Sequence, residues 1–297
     1  MTRSTLLRVV LSERNRMMSF LAQIVTWINV VTNALGKFLL AHIGVLPGWL
    51  SNTVVSAVAG VVLLTIFKYT SNQSAIGRVR DGIKANMLAL KLFKDSISVT
   101  LKAQGQLFKG AVLLLFHAIR PMLVMIVPVS LLLSQMGLWY QSRPLLPGEE
   151  TVVTMRLNDN VETSWPDVSL ESTSAADVII GPVRVLSKRQ IYWKIKAIEN
   201  GCHRINFQVG WQQIGKELAI GDGFMRVSAE RPGWHWADIL LHPWEKPFRG
   251  DSVVQSISID YPDRPSLTSG TDWWLIYFFV ASLVFALIFK PFLKVKI

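Results

Sequence analysis

The sequence predicts a membrane α-helical bundle of about four spans with an inserted extracytoplasmic all-β sandwich domain. Three observations predict this fold class. Of the 297 residues, 51% are hydrophobic, and these residues collect in long runs. Residues 149–271 carry 13 Lys/Arg against 16 Asp/Glu, whereas the rest of the chain carries 18 basic and 4 acidic residues. The same acidic stretch alternates between apolar and polar residues, as half-buried strands do.

The composition also argues against several functions. A net charge of +11 could indicate nucleic acid, but the basic residues lie at the ends of apolar runs, so we expect membrane lipids as partners and no nucleic acid. Cys202 is the single cysteine, which excludes an internal disulfide and a thiolate metal site. No acidic residue lies within a predicted span, so we expect no catalytic residues, metal or cofactor.

Four apolar segments approach the length of about 20 residues that a membrane-crossing helix needs. Residues 53–69 and 273–289 each end near lysine, which places those ends on the cytoplasmic side. Residues 121–140 form another span, with Trp139 and Tyr140 as an aromatic anchor at its outer end. Residues 18–43 form the remaining candidate.

Residues 18–43 contain a polar stripe of Asn29, Asn33 and Lys37, spaced four residues apart on one helix face. The helix therefore either crosses the membrane with this stripe turned toward neighbouring helices or lies in the interface with the stripe in water. The preceding residues Arg3, Arg8, Arg14 and Arg16 favour a cytoplasmic amino terminus and a crossing.

Residues 72–109 carry seven basic and two acidic residues, which predicts a cytoplasmic segment. Its apolar residues recur every three or four positions, so we expect an amphipathic helix or helical hairpin. It either rests on the lipid surface or is a solvated linker. Its expected basic face consists of Arg78, Arg80, Lys84, Lys91 and Lys94.

Six short runs predict the strands of the sandwich: residues 151–157, 178–186, 190–198, 204–209, 224–229 and 252–261. In the third run, Ile191, Trp193, Ile195 and Ala197 alternate with polar residues, which is typical of a half-buried strand. By the order of the spans, residues 144–271 lie outside the cytoplasm.

Within this domain, residues 231–248 concentrate the aromatic residues Trp234, Trp236 and Trp244. Indole rings favour the level of the lipid head groups, which predicts a segment at the membrane interface. The alternative is that these rings fill the sandwich core. A metal site using the nearby histidines lacks a carboxylate at ligand spacing and is not predicted.

Polar side chains inside predicted spans are costly and are therefore candidates for a functional groove. The groove candidates are Ser56, Thr65, Arg120, Ser130, Ser134 and Gln135. If the third span begins at residue 110, Arg120 is buried in the membrane; if it begins at residue 121, Arg120 is an interfacial anchor.

These features divide the chain into five parts. Residues 1–71 hold the first two membrane helices, and residues 72–109 form the cytoplasmic segment. Residues 110–143 hold the third membrane helix, residues 144–271 the sandwich, and residues 272–297 the fourth membrane helix with its basic tail.

Four segments of the chain together resemble the three-helix core of YidC-type membrane insertases. They are the inward span 53–69, the basic amphipathic segment, the outward span ending in WYQSRPLLPGE at residues 139–149, and the inward span 273–289. The likeness is greatest to the archaeal and endoplasmic-reticulum branch. It covers about 110 residues and rests on topology.

This resemblance implies a polar intramembrane groove that assists membrane-protein insertion, with nascent membrane proteins as partners and a location in the bacterial inner membrane. The alternative is a structural or adaptor subunit of an envelope or transport complex whose outer domain binds another subunit. Neither function makes the protein an enzyme.

Overall fold

The computed structural model describes residues 3–43, 46–93, 96–158, 165–266, 268, 270 and 273–295. The chain forms two compact units, which are described separately. The first unit comprises Met1–Asn52 and Leu131–Trp274, and the second comprises Thr53–Ser130 and Leu275–Ile297.

Six α-helices lie in the described part of the chain. In chain order they are α1 (Arg3–Ile43), α2 (Gly48–Thr70), α3 (Gln73–Leu92), α4 (Ile97–Tyr140), α5 (Trp236–Leu241) and α6 (Trp273–Leu293). Helices α1, α2, α4 and α6 are long and apolar enough to cross a membrane. The four apolar segments predicted from the sequence lie within these helices.

The predicted amphipathic segment forms α3 and the first part of α4. Helix α3 begins where the Asn72 side chain accepts a hydrogen bond from the backbone N–H of Ala75. Helix α4 then runs without interruption through Pro121 and Pro128 to Tyr140. The predicted boundary at residues 109 and 110 therefore falls inside one helix, and Lys94 of the predicted basic face lies outside the described residues.

Among the described residues of the first unit, eight strands form two antiparallel sheets. They are β1 (Glu150–Leu157), β2 (Val168–Leu170), β3 (Ala176–Val185), β4 (Gln190–Ala197), β5 (Gly201–Val209), β6 (Gln212–Ile220), β7 (Glu230–Arg231) and β8 (Val254–Ile259). One sheet has the order β3-β4-β1-β8-β7, and the other has the order β2-β5-β6. Residues 144–271 are called the β domain below.

The apolar residues of both sheets share one core. The ring of Trp193 on β4 meets Phe207 on β5 edge to face, with 5.2 Å between the ring centroids, which joins the two sheets. The alternation predicted for β4 is confirmed, because Ile191, Trp193 and Ile195 are buried while Lys196 is exposed.

One predicted strand is wrong, and three strands were missed. Residues 224–229 form no strand, because the Val227 N–H bonds to the carbonyl of Leu138 in α4 and Phe224 packs on Trp139 and Tyr140. Strand β6 escaped prediction because Gly215 and Lys216 interrupt its apolar pattern. Strands β2 and β7 have only three and two residues, too few for an alternation to show.

Candidate functional site

The second unit holds a groove between α2, α4 and α6. Helices α2 and α6 approach closely at Gly60, where a Cβ atom would overlap the carbonyl oxygen of Ser282. Such approaches between membrane helices depend on small residues. Nearer the start of α2, the hydroxyls of Thr53 and Tyr277 share a hydrogen bond of 2.5 Å. These two contacts fix α2 against α6 and form one wall of the groove.

The groove has a volume of about 450 Å³ and an almost wholly apolar lining. Among its described lining residues, Ser282 carries the one hydroxyl, which donates to the Phe279 carbonyl at 3.1 Å. Its surface therefore offers packing contacts. The lining residues are Gly60, Leu63, Leu64, Phe67, Met125, Val129, Phe279, Ser282, Leu283 and Ala286.

A smaller pocket of about 230 Å³, lined by four polar side chains and Phe116, lies elsewhere in the same unit, where α2 ends and α3 begins. Thr70 and Asn72 line it from that connection, and His117 and Arg120 line it from α4. The His117 ring nitrogen lies 2.7 Å from the carbonyl of Leu113 on its own helix. Arg120 is exposed and does not line the apolar groove, and its interpretation as an interfacial anchor stays a prediction.

The six groove candidates divide between the two units. In the second unit, Ser56 is buried, Ser130 is half-buried, and Thr65 donates to Val61 of its own helix. In the first unit, Ser134 donates to Leu131 and Gln135 donates to Asn33. None of the six lines the apolar groove.

Sequence reasoning missed the groove residues for a physical reason. Residues such as Leu63, Met125 and Val129 have the same composition as residues facing lipid, so nothing in their identity separates the two environments. The available signal was Gly60 in an apolar helix, which marks a close helix contact.

The predicted basic face is largely exposed. Arg78, Lys84 and Lys91 of α3 are exposed, and Arg80 is half-buried. Large apolar residues near the end of this helix are exposed as well: Met87, Leu88, Leu92 and Phe93. Helix α3 contacts α4 instead through Ile83, which packs at Gly110, where a Cβ atom would lie 2.6 Å from Cγ1 of Ile83. This pair of helices therefore presents both positive charge and apolar surface.

In the first unit, the polar stripe of α1 binds the β domain. The side-chain amide of Asn29, which is 4% exposed, donates to the carbonyl of Ile239 at 2.7 Å. The amide of Asn33 donates to the carbonyl of Pro243 at 2.7 Å and its oxygen accepts from Gln135. Lys37, the third residue of the stripe, is exposed.

The three tryptophans of residues 231–248 are all half-buried. The indole N–H of Trp234 donates to the Ser19 hydroxyl of α1 at 3.2 Å. Trp236 lies against the ring of His235, with 6.0 Å between the centroids. The indole N–H of Trp244 donates to Glu217 at 2.5 Å. Two of the three rings thus make specific polar contacts, one with α1 and one inside the β domain.

No family model matches the chain, and the comparison with curated proteins gives no match. Three solved structures of the S-layer protein SbsC are similar to parts of it. Domains 4 and 5 match with a TM-score of 0.21 and 13% identity, over 28% of this chain and 48% of that chain. The fragment rSbsC(31-844) matches with a TM-score of 0.20 and 13% identity, over 27% of this chain and 12% of that one. The chain therefore covers less than half of either structure.

Proposed function

We propose that this protein assists the insertion of membrane proteins, as an insertase or membrane chaperone, by holding apolar client helices in the groove between α2, α4 and α6. The observation that carries the proposal is the groove itself. It has a volume of about 450 Å³ and an apolar lining with a single hydroxyl among its described residues, and its helices are long enough to span a membrane. We further propose that the protein resides in the bacterial inner membrane with the β domain outside the cytoplasm, since the charge distribution favours that orientation.

The physical character of the groove suits transient binding. Lipid tails are as apolar as leucine, so a client helix gains little hydrophobic free energy when it leaves lipid for the groove. Its affinity must come from van der Waals contacts, which are individually small. Weak, reversible binding of many clients is the expected result. The polar groove implied by the resemblance to YidC-type proteins is replaced in this proposal by an apolar packing site.

Helix α3 and the start of α4 supply a receiving surface. Exposed Met87, Leu88 and Phe93 could cover apolar residues of an emerging client, while Arg78 and Lys84 hold the surface near anionic lipid head groups. Methionine side chains adapt to different shapes, which suits a surface that binds unrelated sequences.

A second candidate function is that of an adaptor subunit, and one observation favours it. Trp211 is fully exposed at the turn between β5 and β6, where Gly210 adopts a positive φ of 55°. Exposed tryptophans are enriched at the centres of protein interfaces. A constant partner of the β domain would bind there.

Photocrosslinking in membranes that contain nascent chains separates the two functions. A photoreactive residue at Val129, which lines the groove, is compared with the matched control at Val127, which is exposed on the same helix and outside the groove. We expect adducts with many nascent membrane proteins from Val129 and Met87, and severalfold fewer from Val127. Equal adducts from Val129 and Val127, with one constant partner from Trp211, would support the adaptor instead.

A further inference from the structure

A further cavity, independent of the proposed insertase function, lies in the β domain and has a volume of about 580 Å³. This size is within the range of about 300–1,000 Å³ that small-molecule sites occupy. Its lining is rich in charged side chains from β5, β6, β7 and residues 245–246. Some of these charges are already paired with opposite charges inside the domain.

The carboxylate of Glu245 is fully engaged. The ammonium of Lys216, a buried residue of β6, donates to Glu245 at 2.5 Å and to the carbonyl of Ser228 at 2.6 Å. The hydroxyl of Ser228 and the backbone N–H of Glu217 also donate to this carboxylate, at 2.6 and 3.1 Å. A buried ammonium requires such a partner, because a lone charge in the interior is costly. Glu245 is therefore committed to Lys216.

Glu217, the other acidic lining residue, is engaged as well. Its carboxylate accepts from Arg226 at 3.0 Å and from the Trp244 indole at 2.5 Å. The Arg226 guanidinium stacks on the Trp244 ring, 3.1 Å from the centroid. Two acidic groups are thus matched by Lys216 and Arg226.

Three positive charges remain. Within the described residues, Arg204, Arg231 and Lys246 make no ion pair, although all three line the cavity. Arg231 is held in place because its guanidinium donates to the carbonyls of Lys246 and Gly215 at 2.9 and 2.7 Å and lies over the Phe248 ring. Burial lowers the pKa of Arg231; the nearby Glu245 carboxylate offsets part of this effect, and the nearby charge of Arg204 adds to it. Two guanidinium groups therefore repel each other in a shared cavity.

Gly215 on β6 positions the second guanidinium. A Cβ atom at this residue would overlap Nε of Arg204, so the glycine lets the Arg204 side chain lie across the strand. The Gly215 carbonyl at the same time accepts the hydrogen bond from Arg231. One glycine therefore brings both guanidinium groups to the same place.

We propose that this cavity binds a phosphate-bearing ligand through Arg204, Arg231 and Lys246. A phosphate monoester carries nearly two negative charges and several acceptor oxygens, and guanidinium groups match this geometry with paired hydrogen bonds. The three cations form a positive site within a domain whose net charge over residues 149–271 is −3. The cavity has room for more than the phosphate group, so the ligand is a phosphate ester, either a lipid head group or a soluble molecule.

The test measures binding to the full-length protein in neutral detergent. The probes are inorganic phosphate, glycerol 3-phosphate and vesicles that contain phosphatidic acid, whose head group is a phosphate monoester, with sulfate-free chloride buffer as the reference. We expect Arg204→Gln to lower the affinity for the bound probe about tenfold or more, since a charge-assisted hydrogen-bond pair is lost. The matched control is Arg249→Gln, because Arg249 is exposed on the same domain and outside the cavity.

Binding of the soluble probes identifies a soluble ester, and binding of the vesicles alone identifies a lipid head group. Either result supports the proposed site if Arg204→Gln weakens the binding. Gly215→Ala is a second variant that displaces Arg204 without removing a charge and should weaken binding in the same way. The proposal is overturned if no probe binds, or if Arg204→Gln and Arg249→Gln bind equally well. These outcomes do not depend on whether the helical groove binds clients.

Discussion

Arg143 and Glu149 connect the end of α4 to the first strand of the β domain. Their side chains form a paired contact in which both guanidinium nitrogens donate to the carboxylate at 2.8 Å. The Leu146 backbone N–H donates to the same carboxylate at 2.9 Å. The hydrogen bonds from Arg143 hold the pKa of Glu149 below its ordinary value of 4.5, and the hydrogen bond from the Leu146 backbone also lowers it. The carboxylate therefore favours the folded state when it is ionised.

The pH dependence of this contact follows from the direction of the shift. A carboxyl group whose pKa is lowered by folding adds stability above its ordinary pKa, and this stability disappears as the pH falls through the lower value. Glu149→Gln is expected to lower the free energy of unfolding by about 1 kcal/mol at pH 7, because the pair is partly exposed. Urea unfolding in detergent at pH 7 and pH 3 provides the measurement. We expect the difference from wild type to shrink at pH 3; an equal difference at both values would contradict this account.

At the scale of elements, helix α1 is held to the β domain over about a third of its length. Contacts at Ser19, Asn29 and Asn33 all reach residues 234–243, and they extend over about 21 Å of helix. A helix that crossed the membrane away from this domain could not keep all three. Its other face is apolar and exposed, with Phe20, Trp27, Val31 and Phe38 on one stripe. The contacts favour the interfacial arrangement over the crossing that the four amino-terminal arginines indicate.

Cysteine labelling of intact cells tests this arrangement. Glu13 is exposed on α1, and native Cys202 is exposed in the β domain. We expect Glu13→Cys in a Cys202→Ser background to react with a membrane-impermeant maleimide from the same side as Cys202 does in the wild-type chain. If Glu13→Cys reacts only after the cells are opened while Cys202 reacts before, then α1 crosses the membrane.

The elements were predictable where one local pattern decides the outcome. The alternation around Trp193 predicted β4, and apolar length predicted α2 and α6. Prediction failed where contacts between distant parts of the sequence decide the local structure. Residues 224–229 bond to α4 instead of to a strand, and the side chain of Asn29 donates to a carbonyl 210 residues away. The groove and the cavity of the β domain both depend on glycines, Gly60 and Gly215, which permit a close approach. A sequence read locally does not show which residue approaches them.

At the scale of the whole molecule, our proposals give the two parts of the chain different tasks. The helical unit offers an apolar groove and an exposed basic, apolar pair of helices, which supports client binding. The β domain, joined to α1 by its own hydrogen bonds, offers a charged cavity. In these proposals, the groove binds apolar client helices in the membrane, and the cavity of the β domain binds a phosphate ester at a separate site.

The most direct measurement of the central claim is client insertion by reconstituted protein whose groove has been filled. Ala286 lines the groove, and Val280 is exposed on the same helix outside it. Insertion of a nascent membrane protein into proteoliposomes is measured with wild type, Ala286→Trp and Val280→Trp, after matched reconstitution and thermal stability have been verified. We expect Ala286→Trp to lose most of the insertion activity, because its indole occupies the client's packing space, and Val280→Trp to retain it. Equal insertion by the two folded variants would contradict the account.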